Sequence, residues 1–177
     1  MDYEIIDNLS FDAYCAIDAV NAGRLKTLAL RGPSECRTAI ATTHAMLRGR
    51  GLHAAVLEPD EWRDRWTWFD GVRRGKRWSE FAAAHVGDEI LTEPEHALVT
   101  RLCRLVYANK HAADTLDGAR REVTIVWTHE RTGTRIKSRI DFLRDDLWGD
   151  LKSTSIQPAE LDTMTGESSA ARPFIND

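Results

Sequence analysis

The chain has 177 residues, 42% of them hydrophobic, a size that suits one domain with a real core. Charged residues make up 29%, and no apolar run approaches the roughly 20 residues needed to cross a bilayer, which excludes a membrane-spanning helix. The net charge of −4 carries no global signature of a nucleic-acid binder.

In chain order, residues 20–30 read as a short helix stopped by Arg31-Gly32-Pro33. Ser34 can cap a longer one running through Ile40, Met46, Leu47 and Val56 to Pro59. Gly49 and Gly51 weaken that helix locally and allow a backbone or a ligand to come close. Residues 62–81 mix tryptophans with arginines and glycines, and read as a helical turn followed by a loop. Thr92-Glu93-Pro94-Glu95 combines a capping box with proline in the first turn. Leu98, Leu102, Leu105, Val106, Ala113 and Leu116 then recur at helical spacing, so one helix is expected up to Asp117-Gly118.

After Gly118 the period changes to 2. Val123, Ile125 and Trp127 alternate with Glu122, Thr124 and Val126, and Glu130-Arg131-Thr132-Gly133 supplies turn chemistry. Ile136, Ile140 and Phe142 then alternate with Arg135, Lys137, Arg139 and Asp141, and a third strand over 147–153 follows Arg144-Asp145-Asp146. The expectation is a three-stranded antiparallel meander whose polar face a core-driven sheet turns outward.

The acidic opening, Met1-Asp2-Tyr3-Glu4, is unlike a secretory signal. Cys15, Cys36 and Cys103 are too dispersed for a disulfide framework, a zinc site or an iron–sulfur site, so a cytoplasmic location is expected. Charge is segregated. From Trp62 to Trp78, Arg63, Arg65, Arg73, Arg74, Lys76 and Arg77 face only Asp64 and Asp70. From Gly118 to Arg139, Arg120, Arg121, Arg131, Arg135, Lys137 and Arg139 face only Glu122 and Glu130. Two segments of +4 in a chain of −4 leave the remainder at −12, a polarity that can hold an anionic polymer against one face and equally describes solvated helix and strand faces. Arg73, Arg74, Lys76, Arg77, Arg135, Lys137 and Arg139 are the candidate DNA contacts. Trp62 and Trp66, four apart, read as core packing. Trp68 and Trp78 flank the first basic segment, where aromatic rings beside arginines can stack bases of a separated strand.

If Asp145-Asp146 is a two-residue hairpin loop, Arg144 pairs with Leu147 and the register sets Asp141 opposite Asp150. Lys152 shares the face of Asp150, and a four-residue loop over 130–133 sets Glu122 opposite Asp141. Three carboxylates and an ammonium then converge on the hard-oxygen environment that Mg²⁺ or Mn²⁺ prefers, an arrangement suited to phosphodiester hydrolysis. Taken alone, a D-x-K triplet is more often a surface ion pair than a catalytic centre.

Longer ordered motifs add to this. Asn21-Ala22-Gly23-Arg24-Leu25-Lys26, Arg31-Gly32-Pro33 and Gly51-Leu52-His53-Ala54-Ala55-Val56-Leu57-Glu58-Pro59 come first. Arg121-Glu122-Val123-Thr124-Ile125-Val126-Trp127, Thr132-Gly133, Lys137-Ser138-Arg139-Ile140-Asp141 and Asp150-Leu151-Lys152-Ser153-Thr154 follow. Together, over about three quarters of the chain, they resemble the RecE-type exonuclease VIII family of phages and prophages, within the PD-(D/E)xK nuclease superfamily.

The resemblance implies an α/β (α+β) fold with a restriction-endonuclease-like PD-(D/E)xK core, a mixed sheet with antiparallel hairpins flanked by helices. That domain would span 1–164, with a disordered polar tail over 165–177. It further implies a Mg²⁺- or Mn²⁺-dependent exonuclease that degrades linear double-stranded DNA 5′ to 3′ in phage-type recombination. The partners would be duplex DNA ends and a single-strand annealing (RecT-like) protein, and the assembly a ring-like homo-oligomer. Carried over by position, Asp141 and Asp150 are metal ligands, Lys152 is the catalytic lysine and His53 the helix-borne histidine at the metal. Glu122 matches the acidic position that opens the first core strand. Family members continue past about Met164 with a helix holding a Gln and Tyr pair, unlike residues 165–177 here. The alternative reading is therefore a non-catalytic nuclease core that binds DNA or another protein.

Overall fold

Helical spacing in the front half and alternation in the back half build two kinds of structure in the computed structural model, which describes residues 2–37 and 42–153. In chain order the elements are β1 (Tyr3–Ile6), α1 (Phe11–Ala16), α2 (Ala22–Arg31), a 3-10 turn (Glu35–Arg37), α3 (His44–Leu57), α4 (Pro59–Arg65) and β2 (Trp66–Phe69). There follow α5 (Gly75–Ala84), β3 (Glu89–Thr92), α6 (Glu93–Ala108), α7 (Lys110–Leu116), β4 (Arg120–Thr128), β5 (Arg135–Leu143) and β6 (Trp148–Gly149). The described residues are thus mixed α/β, with a mainly antiparallel sheet and a separate parallel pair. They divide into two units, one of residues 2–42 and 118–150 and one of 43–117 and 151–153. No helix among them is long and apolar enough to cross a membrane. The expected tail over 165–177, the end of the 1–164 domain and Thr154 lie outside the described residues.

The first unit holds a sheet ordered β1-β4-β5-β6, antiparallel throughout. Both expected registers are present. Arg121 pairs with Phe142 and Val123 with Ile140, on the register of the four-residue loop, and the His129 N–H donates to the Thr134 carbonyl at 2.9 Å. Phe142 pairs with Gly149 and Leu143 with Trp148, and the Arg144 N–H closes the two-residue loop on the Leu147 carbonyl at 2.7 Å. The meander gains a fourth strand, β1, and the expected 147–153 strand is paired only at Trp148 and Gly149. Ahead of β6, Val20 fills the open side of β5, exchanging backbone hydrogen bonds with Arg135 and Lys137.

α2 begins where Asn21 accepts from the Arg24 N–H at 2.9 Å and ends at Gly32, whose φ of 88° lets the chain reverse. The polar face of β4 and β5 does not point to solvent. It lies under α1, and Glu122, Thr124, Lys137 and Asp141 are all buried together with Val123 and Val126.

In the second unit, the helix expected from Ser34 begins at His44. Thr43 caps it, its hydroxyl accepting from the Met46 N–H at 3.2 Å, while Ser34 precedes only the 3-10 turn and Ile40 lies outside the described residues. Residues 62–81 are not a helical turn and a loop. The β-prone run Trp66-Thr67-Trp68-Phe69 is a strand, paired in parallel with β3 across the α5 connection. The expected helix over 92–117 breaks at Asn109, whose N–H closes α6 on the Leu105 carbonyl while its side chain accepts from the Ala112 N–H to open α7. Ala55, Leu91 and Val99 form the core here, with Leu47, Trp62, Trp66 and Cys103 packed against it. Gly51 admits the Trp66 ring to 3.1 Å of where a Cβ would stand, so the close approach expected at this glycine is by an indole.

The Phe142 ring lies directly over Gly149, with two ring atoms 2.8 Å from a Cβ built there. Gly149→Ala is expected to displace the ring and cost about 2 kcal/mol by overpacking. Urea denaturation checks this, and the double variant with Phe142→Leu is expected to recover most of the loss.

Candidate functional site

The registers described above bring two of the expected acids together in the first unit. Glu122 on β4 and Asp141 on β5 are both buried, with carboxylate oxygens within 4.8 Å of each other. The pairing of β5 with β6 ends at Phe142–Gly149, one residue short of the expected Asp141–Asp150 opposition, and Asp150 is exposed. Like charges at this spacing repel, and burial strengthens the repulsion unless a cation is close. Arg139 supplies one. Its Nε donates to Glu122 Oε2, and both side chains are less than a tenth exposed. Its Nη1 donates to the Leu9 carbonyl at 2.8 Å. The guanidinium also lies 5.9 and 6.0 Å from the Phe11 and Tyr14 ring centroids.

Glu122 itself has a φ of 51°, in the left-handed region that a residue with a side chain seldom adopts, and the regular pairing of β4 with β5 skips it. Two residues along the same face, Thr124 is fully buried, and its hydroxyl has no hydrogen-bond partner among the described residues. Thr124 stands opposite Arg139. The sequence signal for the Glu122–Arg139 pair was present, since the register that opposes Glu122 to Asp141 also makes Arg139 the diagonal neighbour of Glu122.

Lys137 is not available to DNA. Its ammonium donates to the carbonyls of Tyr14 at 2.8 Å, Cys15 at 3.1 Å and Ile17 at 2.9 Å, and it lies 4.7 Å from the Tyr14 ring centroid. All three of its protons are thereby used. Burial lowers its pKa and Arg24 adds to this, against Cys15 and Asp18. Burial likewise raises the Tyr14 phenol. Arg139, held as described, is equally internal, whereas Arg135 is exposed.

The second unit carries the other candidates. His53 sits half-buried on α3, its Nε2 donating to the Leu151 carbonyl at 2.7 Å. Lys152 is exposed just beyond Leu151.

Among the basic residues after β2, Arg73 is committed to the fold. Its Nη2 donates to Glu95 at 2.6 Å and to the Ile90 carbonyl at 2.8 Å. Glu95 also accepts from the Thr92 N–H at 2.8 Å and lies 3.0 Å from His44 Nδ1. Burial pushes the Glu95 carboxyl up, but hydrogen bonds from the Thr92 backbone, Arg73, the Thr92 hydroxyl and His44 outweigh it and hold the pKa at about 2. Arg74, Lys76 and Arg77 are exposed, Arg77 lying over the Phe69 ring at 5.2 Å. Trp68 is half-exposed and stacks on His96 at 4.3 Å, with Trp62 on the other side of His96 at 5.3 Å. Burial in this stack lowers the His96 pKa. Trp78 meets the Phe69 ring edge-on at 5.4 Å.

Compared with family models, with curated proteins and with solved structures, the chain matches none.

Two predictions follow from these buried charges. Lys137→Met leaves three carbonyls without their donor and is expected to cost on the order of 3 kcal/mol in urea denaturation. For Glu95, the folded carboxyl ionises below its ordinary value of 4.5. Its stabilisation is therefore complete above pH 4.5 and lost as pH falls toward 2, on the order of 3 kcal/mol in all. Glu95→Gln is expected to flatten that part of the stability profile.

Proposed function

We propose that the chain is a divalent-metal-dependent deoxyribonuclease acting on the ends of linear double-stranded DNA. The observation that carries this reading is the buried Glu122–Asp141 pair. The buried pair fits a hard cation, since both groups are carboxylates whose oxygens lie within 4.8 Å of each other. Mg²⁺, or Mn²⁺ in its place, would neutralise the phosphate and lower the pKa of a bound water.

The chain's own residues carry the remaining work. By the resemblance, Asp141 and Asp150 would hold the ion, and Lys152 would orient the attacking water or offset charge on the leaving oxygen. Arg74, Lys76 and Arg77, together with Arg135, are the exposed cations through which phosphates would be contacted, while Arg73, Lys137 and Arg139 serve the fold. Trp68 offers an indole face to a base of the separated strand. The PD-(D/E)xK core, 5′ to 3′ polarity, a RecT-like annealing partner, a homo-oligomeric ring and His53 at the metal belong to this reading through the resemblance alone.

One observation favours a second reading, a DNA-binding core without turnover. Strand pairing ends at Gly149, so Asp150 and Lys152 lie outside the paired strands of the described sheet.

Digestion of linear duplex labelled at its 5′ end separates the two. Release of label in Mg²⁺, abolished by EDTA and reduced at least about 100-fold in Asp150→Ala and in Lys152→Ala, is the expected result. Salt-sensitive binding by the folded wild type with no release in Mg²⁺ or Mn²⁺ would establish the second reading instead.

A further inference from the structure

We propose that Arg139 is the internal counter-ion of the Glu122–Asp141 pair, a positioning residue that keeps the two carboxylates together before a divalent cation arrives and weakens the affinity for that cation. The proposal rests on the metal reading above. Four observations carry it.

Arg139 and Glu122 are paired with both side chains less than a tenth exposed, so their attraction is little screened by water. The guanidinium is also fixed from the other side, by the Leu9 carbonyl at 2.8 Å and by the Phe11 and Tyr14 rings. It is therefore a built part of the pocket and not a mobile surface charge. Glu122 is held at a φ of 51°, a conformation that persists only where its surroundings over-determine it, and Arg139 is a side chain that grips its carboxylate. Thr124, opposite Arg139 and two residues from Glu122, is fully buried, and its hydroxyl has no hydrogen-bond partner among the described residues, which leaves a buried polar atom beside the pair.

The charge arithmetic fixes the direction of the effect. Among the three buried side chains Glu122, Asp141 and Arg139 the charge sums to −1 with arginine present and −2 without it, the charge of Asp150 being the same in both cases, and a divalent cation is held more tightly by the more negative set. Lysine in place of arginine keeps the sum at −1.

Mn²⁺ titration followed by electron paramagnetic resonance reads this directly, without reference to cleavage. Arg139→Gln is expected to bind Mn²⁺ about tenfold more tightly than wild type, and Arg139→Lys within about threefold of it. Should Arg139→Gln not fold, Glu122→Gln and the double variant Glu122→Gln/Arg139→Gln give the same comparison. Both lack the carboxylate that Arg139 neutralises, and the double variant is expected to bind more tightly by a similar factor. Equal or weaker binding without the arginine would overturn the counter-ion role while leaving the metal site standing. Absence of Mn²⁺ binding by folded wild type at millimolar concentration would remove the metal reading, and this inference with it.

Discussion

The ammonium of Lys137 is the fixed point of the first unit. A lysine on an interior sheet face is tolerable only if each of its protons finds an acceptor, and α1 provides three carbonyls from its last turn and the residue after it. That requirement dictates where α1 lies, and Arg139 reinforces it by holding the Leu9 carbonyl ahead of the same helix. With six residues, α1 could not hold its conformation alone. It is pinned at both ends by cations of β5, with Phe11 and Tyr14 lying against them. The consequence reaches the carboxylates through Arg139, which the same segment fixes and which is paired with the buried Glu122.

The same interaction explains where sequence reasoning stopped. Strict alternation in 122–142 located β4 and β5, and the two loops set both registers, since side-chain period and loop length are local properties. The burial of the polar side was not local. For Lys137 and Arg139 it depends on α1, an element of six residues with too few positions to show a period. In the second unit, Asn109 and Thr43 decided the helix boundaries. Each is a single residue whose capping role emerges only when its side chain is seen on the backbone N–H it satisfies. The β2 strand was hidden for a different reason. Four residues beside a charged helix read as loop until a parallel partner twenty residues later is supplied.

For the candidate site, the legible part was the pairing of acids and the illegible part their cations. Glu122 and Asp141 follow from a register, and Asp150 follows from a second one. That Arg139 belongs to Glu122 also lay in the register, but a basic residue in a basic segment invites an outward reading. The left-handed backbone of Glu122 has no sequence mark at all, since glutamate is not a residue that favours it.

Charge runs must therefore be discounted before they are taken as a field. Of the six basic residues in the second segment, Arg120 is bonded to Asp7 through two donors, Lys137 to α1 and Arg139 to Glu122. In the first, Arg63 faces Asp60, Arg65 faces Glu61 and Arg73 is held by Glu95. Exposed pairs such as the first two contribute little to stability yet still cancel charge at a distance beyond a Debye length. A phosphate approaching this protein meets far less than the +4 each segment carries on paper. On the nuclease reading proposed above, contact with phosphates would fall on residues such as Arg74, exposed at the start of α5, whose charge the described fold does not use.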